Sequence, residues 1–312
     1  MTADLAVGTV AAPDLLSSSH RRRAEFAERV LDLGLDHLFV ADHVSFHVGR
    51  GMDGLINAAT LTSLDPRLCV VVGVYLLALR HPIAVARQLA TIAETAPGQL
   101  VLGVGIGGED RNEIAMCGID PRTRGRRTDE ALTILARLAT GEPLDHEGEF
   151  YRFEKAWIRP APSPRIPILI GGRSDAALAR AARYGDGWLA SWCSAQRFAA
   201  AATEIERRAA PLGRSPRDHG LQLWVGIDDD RARARARLAS AMEQFYRIPF
   251  ARFEKYSPCG TPDEVAAWLA PYRDAGCRLF NLMPIAGDEA TAIAAVAEVK
   301  RRLAANTVES VA

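Results

Sequence analysis

The stretch LCVVVGVYLLALRHPIAVARQLATIAETAPGQLVLGV, residues 68–104, holds one complete structural unit. Its first nine residues are apolar and rich in valine, with Gly73 in their midst. A strand with one wet face would alternate polar and apolar side chains. An unbroken apolar run therefore reads as a strand covered on both faces, as parallel strands under helices are. Pro82 then opens a helical pattern that Pro97-Gly98 stops, and QLVLGV starts a second buried strand. The stretch predicts a strand over 68–76, a helix over 82–95 and a strand over 99–104.

Outward from this unit the same alternation continues. Strands are predicted at 5–10, 37–41, 166–170, 187–191, 221–226 and 278–283, with helices at 20–33, 54–64, 122–140, 174–184, 195–210, 229–246, 262–275 and 288–304. Eight strands alternating with helices are what a closed parallel (β/α)8 TIM barrel requires, although a doubly wound open sheet uses similar units. Two tracts fall outside the repeat: LDHEGEFYRF at 144–153, read as a hairpin around Glu147-Gly148, and an aromatic-rich insertion at 247–260. Both extend loops, so a single domain over 1–312 is expected.

Composition narrows the class of function. Hydrophobic residues make up 48% and charged residues 24%, which suits an enzyme-sized globule, and the formal net charge of zero speaks against a nucleic-acid or anionic-membrane partner. The apolar runs are short and the N-terminus lacks the basic start and apolar core of a signal peptide, so a cytoplasmic protein is expected. Five cysteines lie far apart with no C-x-x-C, which points to reduced thiols rather than disulfides or structural zinc.

In a barrel the residues just after each strand converge on one face. The strand at 37–41 runs into Asp42-His43, and the neighbouring ends GVGIGGEDRNE (103–113) and LIGGRS (169–174) add glycines, Glu109, Asn112 and Arg173. His43 and His47, four apart, would share a helix face and could grip zinc, but a zincin has glutamate where this chain has Val44, so no metal is expected. The glycine loop lacks the lysine of a P-loop. Gly171, Gly172, Arg173 and Ser174 stand at a strand end just before a helix, where exposed amides favour an anion. The run DDDRARARAR at 228–237 spreads its charges around a helix and reads as solvated surface.

Asp42-His43, the block LRHPIAVARQLATIAETAPGQLVLGVGIG (79–107) and the block PILIGGRSDAALARAARYGDGW (167–188) together resemble the bacterial luciferase-like superfamily of (β/α)8 flavin and deazaflavin oxidoreductases. Asp-His after the second strand is similar to the branch that uses coenzyme F420, whereas FMN-using members more often carry Glu-His. The resemblance implies an F420-dependent oxidoreductase that moves a hydride between the deazaflavin and a small organic substrate. An FMN-dependent monooxygenase is the alternative, and a metal-dependent barrel hydrolase a more remote one. It implies a homodimer as well.

It also implies roles for residues. His43 would exchange a proton with the substrate, with Asp42 beside it, and Glu109 would be a second acid or base, although Gly108 alters the spacing before it. Gly107 and Asn112 would touch the cofactor. A non-prolyl cis peptide at Gly73-Val74 would form a bulge behind the ring, and Gly171, Gly172, Arg173 and Ser174 would meet the phosphate. The aromatic segment at 242–256 suggests an apolar lid. Few lysines are available for a sugar phosphate.

Overall fold

The computed structural model describes residues 5–47, 49–108 and 110–305. Eight parallel strands carry it: β1 (Ala6–Val10), β2 (His37–Val40), β3 (Cys69–Leu76), β4 (Leu100–Gly105), β5 (Ile168–Gly171), β6 (Gly187–Ala190), β7 (Gly220–Ile227) and β8 (Leu279–Ile285). Each pairs with the next along the chain, and β8 pairs with β1, so the sheet closes into the expected barrel.

Both faces of the strands are buried, for the reason the apolar runs suggested. Along β2 and β3, Phe39, Cys69 and Val71 point into the lumen with Val101, Leu169, Leu189 and Leu279, while Leu38, Val70 and Val72 pack outward against the helices. The helices are α1 (His20–Asp32), α2 (Gly54–Thr62), α3 (Pro82–Thr95), α4 (Arg124–Leu138), α5 (Asp175–Tyr184), α6 (Ala195–Ala209), α7 (Arg231–Tyr246), α8 (Pro262–Asp274) and α9 (Glu289–Ala305). Among the described residues, no helix is long and apolar enough to cross a membrane.

Two helices follow β7 where the repeat needs one. α8, opened by a capping box between Thr261 and Glu264, takes the outer-ring position beside α9. α7 and the short turns at 250–252 and 254–256 build a small core of their own from Leu238, Met242, Phe250 and Phe253, packed against Trp192, Trp224 and Tyr246. The insertion after 247 is thus a buttress for α7. At the start of α7 the arginines of the charged run pair on the surface, Arg233 and Arg237 with Asp228, and Arg235 with Glu254.

The second tract outside the repeat is a hairpin of Leu144–Glu147 and Arg152–Ala156, longer than expected on its second side. A further antiparallel pair, His43–Phe46 with Arg50–Met52, follows β2 directly. His43 and His47 therefore do not share a helix face, and the ring of Phe46 stands between them at 4.3 Å and 4.0 Å. A short helix at Arg111–Met116 also goes unread in the sequence.

One polar chain crosses the lumen. His37 Nε2 bonds Asn281 Oδ1 at 2.7 Å, Asn281 Nδ2 donates to Gln222 Oε1 at 3.0 Å, and Gln222 Nε2 donates to the Gly73 carbonyl at 2.9 Å. Burial pushes the His37 imidazole down to about 4, so it is neutral at physiological pH. The Gly73-Val74 bond is cis, and the register between β3 and β4 shifts there.

Candidate active site

β2 ends beside the mouth of the barrel, and Asp42 determines where the chain goes next. Its buried carboxylate accepts the amides of Gly54 at 2.9 Å and Leu76 at 2.8 Å, and both terminal nitrogens of Arg80 at 2.7 Å. Arg80 in turn lies over the Tyr75 ring at 4.6 Å. Burial raises the Asp42 carboxyl above the usual range against the pull of Arg80 and the two amides. One side chain so ties the start of α2, the end of β3 and the Arg80 fork to the base of the His43 hairpin. The Asp42 carboxylate is fully engaged, whereas its neighbour His43 keeps a partly exposed side chain.

The imidazole of His43 is partly exposed, and its Nδ1 lies 3.0 Å from Glu113 Oε2. Glu113, only 2% exposed, also accepts the amides of Val44 at 2.6 Å and Ser45 at 3.1 Å through Oε1. Burial works to raise the Glu113 carboxyl, but the His43 ring and the two amides together hold it below its ordinary value. Asp110 clamps the far end of the same hairpin, accepting the His47 amide at 2.8 Å while capping the helix at Arg111–Met116. An ionised Glu113 only accepts hydrogen bonds, so His43 is the donor in this contact, through Nδ1.

From His43 a run of aromatic rings borders the mouth. Phe46 lies tilted against His43 at 4.3 Å, Phe245 lies 5.5 Å from Phe46, Trp224 5.7 Å from Phe245, and Tyr246 bridges Trp224 and Trp192 at 6.1 Å and 5.2 Å. At its end the guanidinium of Arg173 sits 5.4 Å above Trp192 and donates to its carbonyl at 3.3 Å. The mouth is apolar along one side and cationic at the end.

The remaining expected residues fall around this opening. Val74 is half-buried at the lumen and is flanked by Gly105 and Gly171, where a Cβ would run into its methyl groups. The carbonyl of Gly172 accepts Trp188 Nε1 at 2.6 Å, and Ser174 caps α5 through the Ala177 amide at 3.2 Å. Gly107 takes a left-handed φ of 67°. Asn112 is exposed, with its amide on Asp110 at 2.9 Å. Glu109 lies outside the described residues. Among the described residues no group of three His, Cys, Asp or Glu could hold a metal.

Glu113, Arg80 and Asp110 were not singled out in the sequence. Glu113 stands in the same loop as Glu109, residues 103–113, and the only local signal is its spacing to the glycines.

A (β/α)8 barrel with a carboxylate-oriented imidazole at its mouth and an arginine at the opposite rim defines a class of small-molecule enzyme scaffold. The chain belongs to the luciferase-like monooxygenase family, whose model matches residues 4–258. A Mycobacterium bovis protein whose name assigns it no activity is 37% identical over 138 residues, 44% of this chain and 47% of that protein. The F420-dependent glucose-6-phosphate dehydrogenase of Nakamurella multipartita is 30% identical over 223 residues, 68% of this chain and 65% of that one. The chain thus spans about half to two thirds of the length of these relatives. Among solved structures, an F420-dependent secondary alcohol dehydrogenase in complex with an F420-acetone adduct superposes with a TM-score of 0.83 at 19% identity, over 96% of this chain and 99% of that one, which shows the shared fold.

Proposed function

We propose that the protein is an F420-dependent oxidoreductase that interconverts a small organic substrate, such as an alcohol and its carbonyl, by hydride transfer. The observation that carries this reading is the His43–Glu113 pair at 3.0 Å beside the lumen mouth. Relatives with F420 in their names, matched over more than half of this chain, support the choice of cofactor.

The residues present fit such a group. Val74 offers an apolar shelf at the lumen, and Arg173, with the start of α5, offers a cation and a dipole for a phosphate. Bound there, F420 supplies the carbon that takes up or returns the hydride. His43 Nε2 takes the proton from a substrate hydroxyl as the carbonyl forms, and returns it in the reverse direction. Glu113 holds the ring in the tautomer that leaves Nε2 unprotonated and stabilises the imidazolium that results. The aromatic border from Phe46 to Trp192 keeps water from the reacting atoms. Gly107 and Asn112 contact the cofactor, and Gly171, Gly172 and Ser174 flank its phosphate. Glu109 remains a candidate second acid. Asp42 acts through Arg80 and the backbone as a positioning residue.

The test is titration of the apoprotein with F420 and with FMN, followed by fluorescence quenching. F420 is expected to bind about tenfold more tightly, equivalent to about 1.4 kcal/mol. Equal affinity, or a preference for FMN, would transfer the protein to the FMN-dependent monooxygenases of the family.

A further inference from the structure

Beyond the loop Gly171–Ser174 the rim opens into a cavity of about 380 Å³ whose lining includes Arg173, Ser174, Trp192, Ser194, Arg197 and Tyr256. That space exceeds what one phosphate group fills. Two helices begin at its wall, α5 capped by Ser174 and α6 capped by Ser194. The lining contains two arginines and no carboxylate. Asp175, next to Ser174, is tied to Arg208, which also holds Glu204. Among the described residues, neither Arg173 nor Arg197 forms a close ion pair, the nearest attraction being that of Arg197 for Asp175, whereas Arg208, Arg233, Arg235 and Arg237 around the barrel all do. Two guanidiniums lining one cavity without a close ion pair suit a ligand with more than one anionic group.

Resting on the F420 reading above, we infer that this cavity holds the carboxylates of the cofactor's γ-linked glutamyl tail, with Arg197 as the tail-reading residue. The two candidate cofactors differ at this point. The side chain of FMN ends at a phosphate monoester, for which Arg173 and the start of α5 suffice. F420 continues from a phosphodiester through lactate into a chain of glutamates, each adding a carboxylate. Arg173 serves the phosphate nearest the lumen, and Arg197, on the first turn of the next helix, lies where the chain leaves the rim. Trp192 and Tyr256 line the same cavity beside the two arginines. The cavity so selects between cofactors whose ring ends the lumen would treat alike.

The test is titration of the apoprotein with three ligands: the deazaflavin riboside without phosphate, the phospholactyl form without glutamate, and the form bearing several glutamates. Wild type is expected to bind the glutamylated form about three- to fivefold more tightly than the phospholactyl form at low salt, the range of a partly exposed ion pair, and to lose the difference at high salt. Arg197→Ala is expected to abolish that ratio, while unchanged affinity for the phospholactyl form shows the variant to be folded. Arg197→Lys retains part of it. Equal affinity of wild type for the two forms, or an Arg197→Ala variant that weakens both equally, would overturn the inference and leave the F420 reading standing. Failure of all three ligands to bind would remove both.

Discussion

Glu113 Oε2 lies 3.0 Å from His43 Nδ1, and the other oxygen of the same carboxylate lies 2.6 Å from the Val44 amide and 3.1 Å from that of Ser45. One buried side chain therefore fixes the ring and the backbone that carries it. Removing it would affect both, and conservative changes separate the two effects.

His43→Ala is expected to lower turnover about 10²- to 10⁴-fold while leaving F420 affinity nearly unchanged, because acid–base groups contribute in that range. Glu113→Gln keeps an acceptor for the two amides but no longer enforces the Nδ1–H tautomer, so it should lower kcat while sparing KM. Stopped-flow measurement of F420 reduction or oxidation checks both. Near-normal turnover in His43→Ala would remove the histidine from the chemistry.

The same pair makes a prediction about acid. Glu113 is held below its ordinary value of 4.5 in the folded protein. A depressed carboxylate contributes stability that is complete above the unfolded value and is lost as pH falls through the folded one. The stability difference between wild type and Glu113→Gln should therefore be constant at neutral pH and shrink only below about 4.5. Urea unfolding at several pH values measures it.

The barrel was legible because burial on both faces leaves a signature in single runs such as CVVVGVYL, and the helices between them are long enough to show their period. His43 stood out as a candidate because a strand end carrying an imidazole is conspicuous. Its partners were not. Glu113 reaches across 70 residues and Arg80 reaches Asp42 across 38, and neither pairing leaves a local pattern. The hairpin after β2 was also hidden, since strands of four and three residues are too short for alternation to emerge.

Asp42→Ala should cost about 3–5 kcal/mol of stability, because it leaves the largely buried Arg80 guanidinium without its counter-charge. The Gly54 and Leu76 amides lose their acceptor as well. Denaturant unfolding gives the loss directly. A change below about 1 kcal/mol would mean that water or Asp53, 3.4 Å from Arg80, takes over.

His37 and His219 are buried with imidazoles pushed down to about 4. In the unfolded chain both would protonate near 6.5, so between 6.5 and 4 the unfolded state binds more protons. Their contribution is complete above 6.5 and is lost as pH falls toward 4. Each is worth at most about 3 kcal/mol over that window. Imidazole NMR shifts should report both rings neutral at about pH 5, a level at which an ordinary histidine is charged. A charged ring at that pH would contradict the burial argument.

Gly171, a residue expected to serve the cofactor, also has a neighbour within the protein that calls for a glycine. A Cβ placed there would come within 2.9 Å of Val74 Cγ1, while Val104 O and Val74 Cβ stand at 3.6 Å and 3.7 Å. The φ of Gly171 is not left-handed, so alanine is excluded by that methyl group and not by the backbone. Gly171→Ala alone should cost about 1–3 kcal/mol as overpacking. Val74→Ala alone should cost about 1 kcal/mol, since its side chain is only half-buried. In the double variant the offending methyl is gone and every remaining contact is ordinary, so its stability should match Val74→Ala, giving a favourable coupling equal to the Gly171→Ala cost, about 1–3 kcal/mol. Thermal or urea unfolding of the four proteins completes the cycle, and F420 titration of the same set divides the roles. If the double variant is stable but binds poorly, the space at Gly171 belongs to the cofactor as well as to Val74. If the single costs simply add, Val74 is not what keeps residue 171 a glycine.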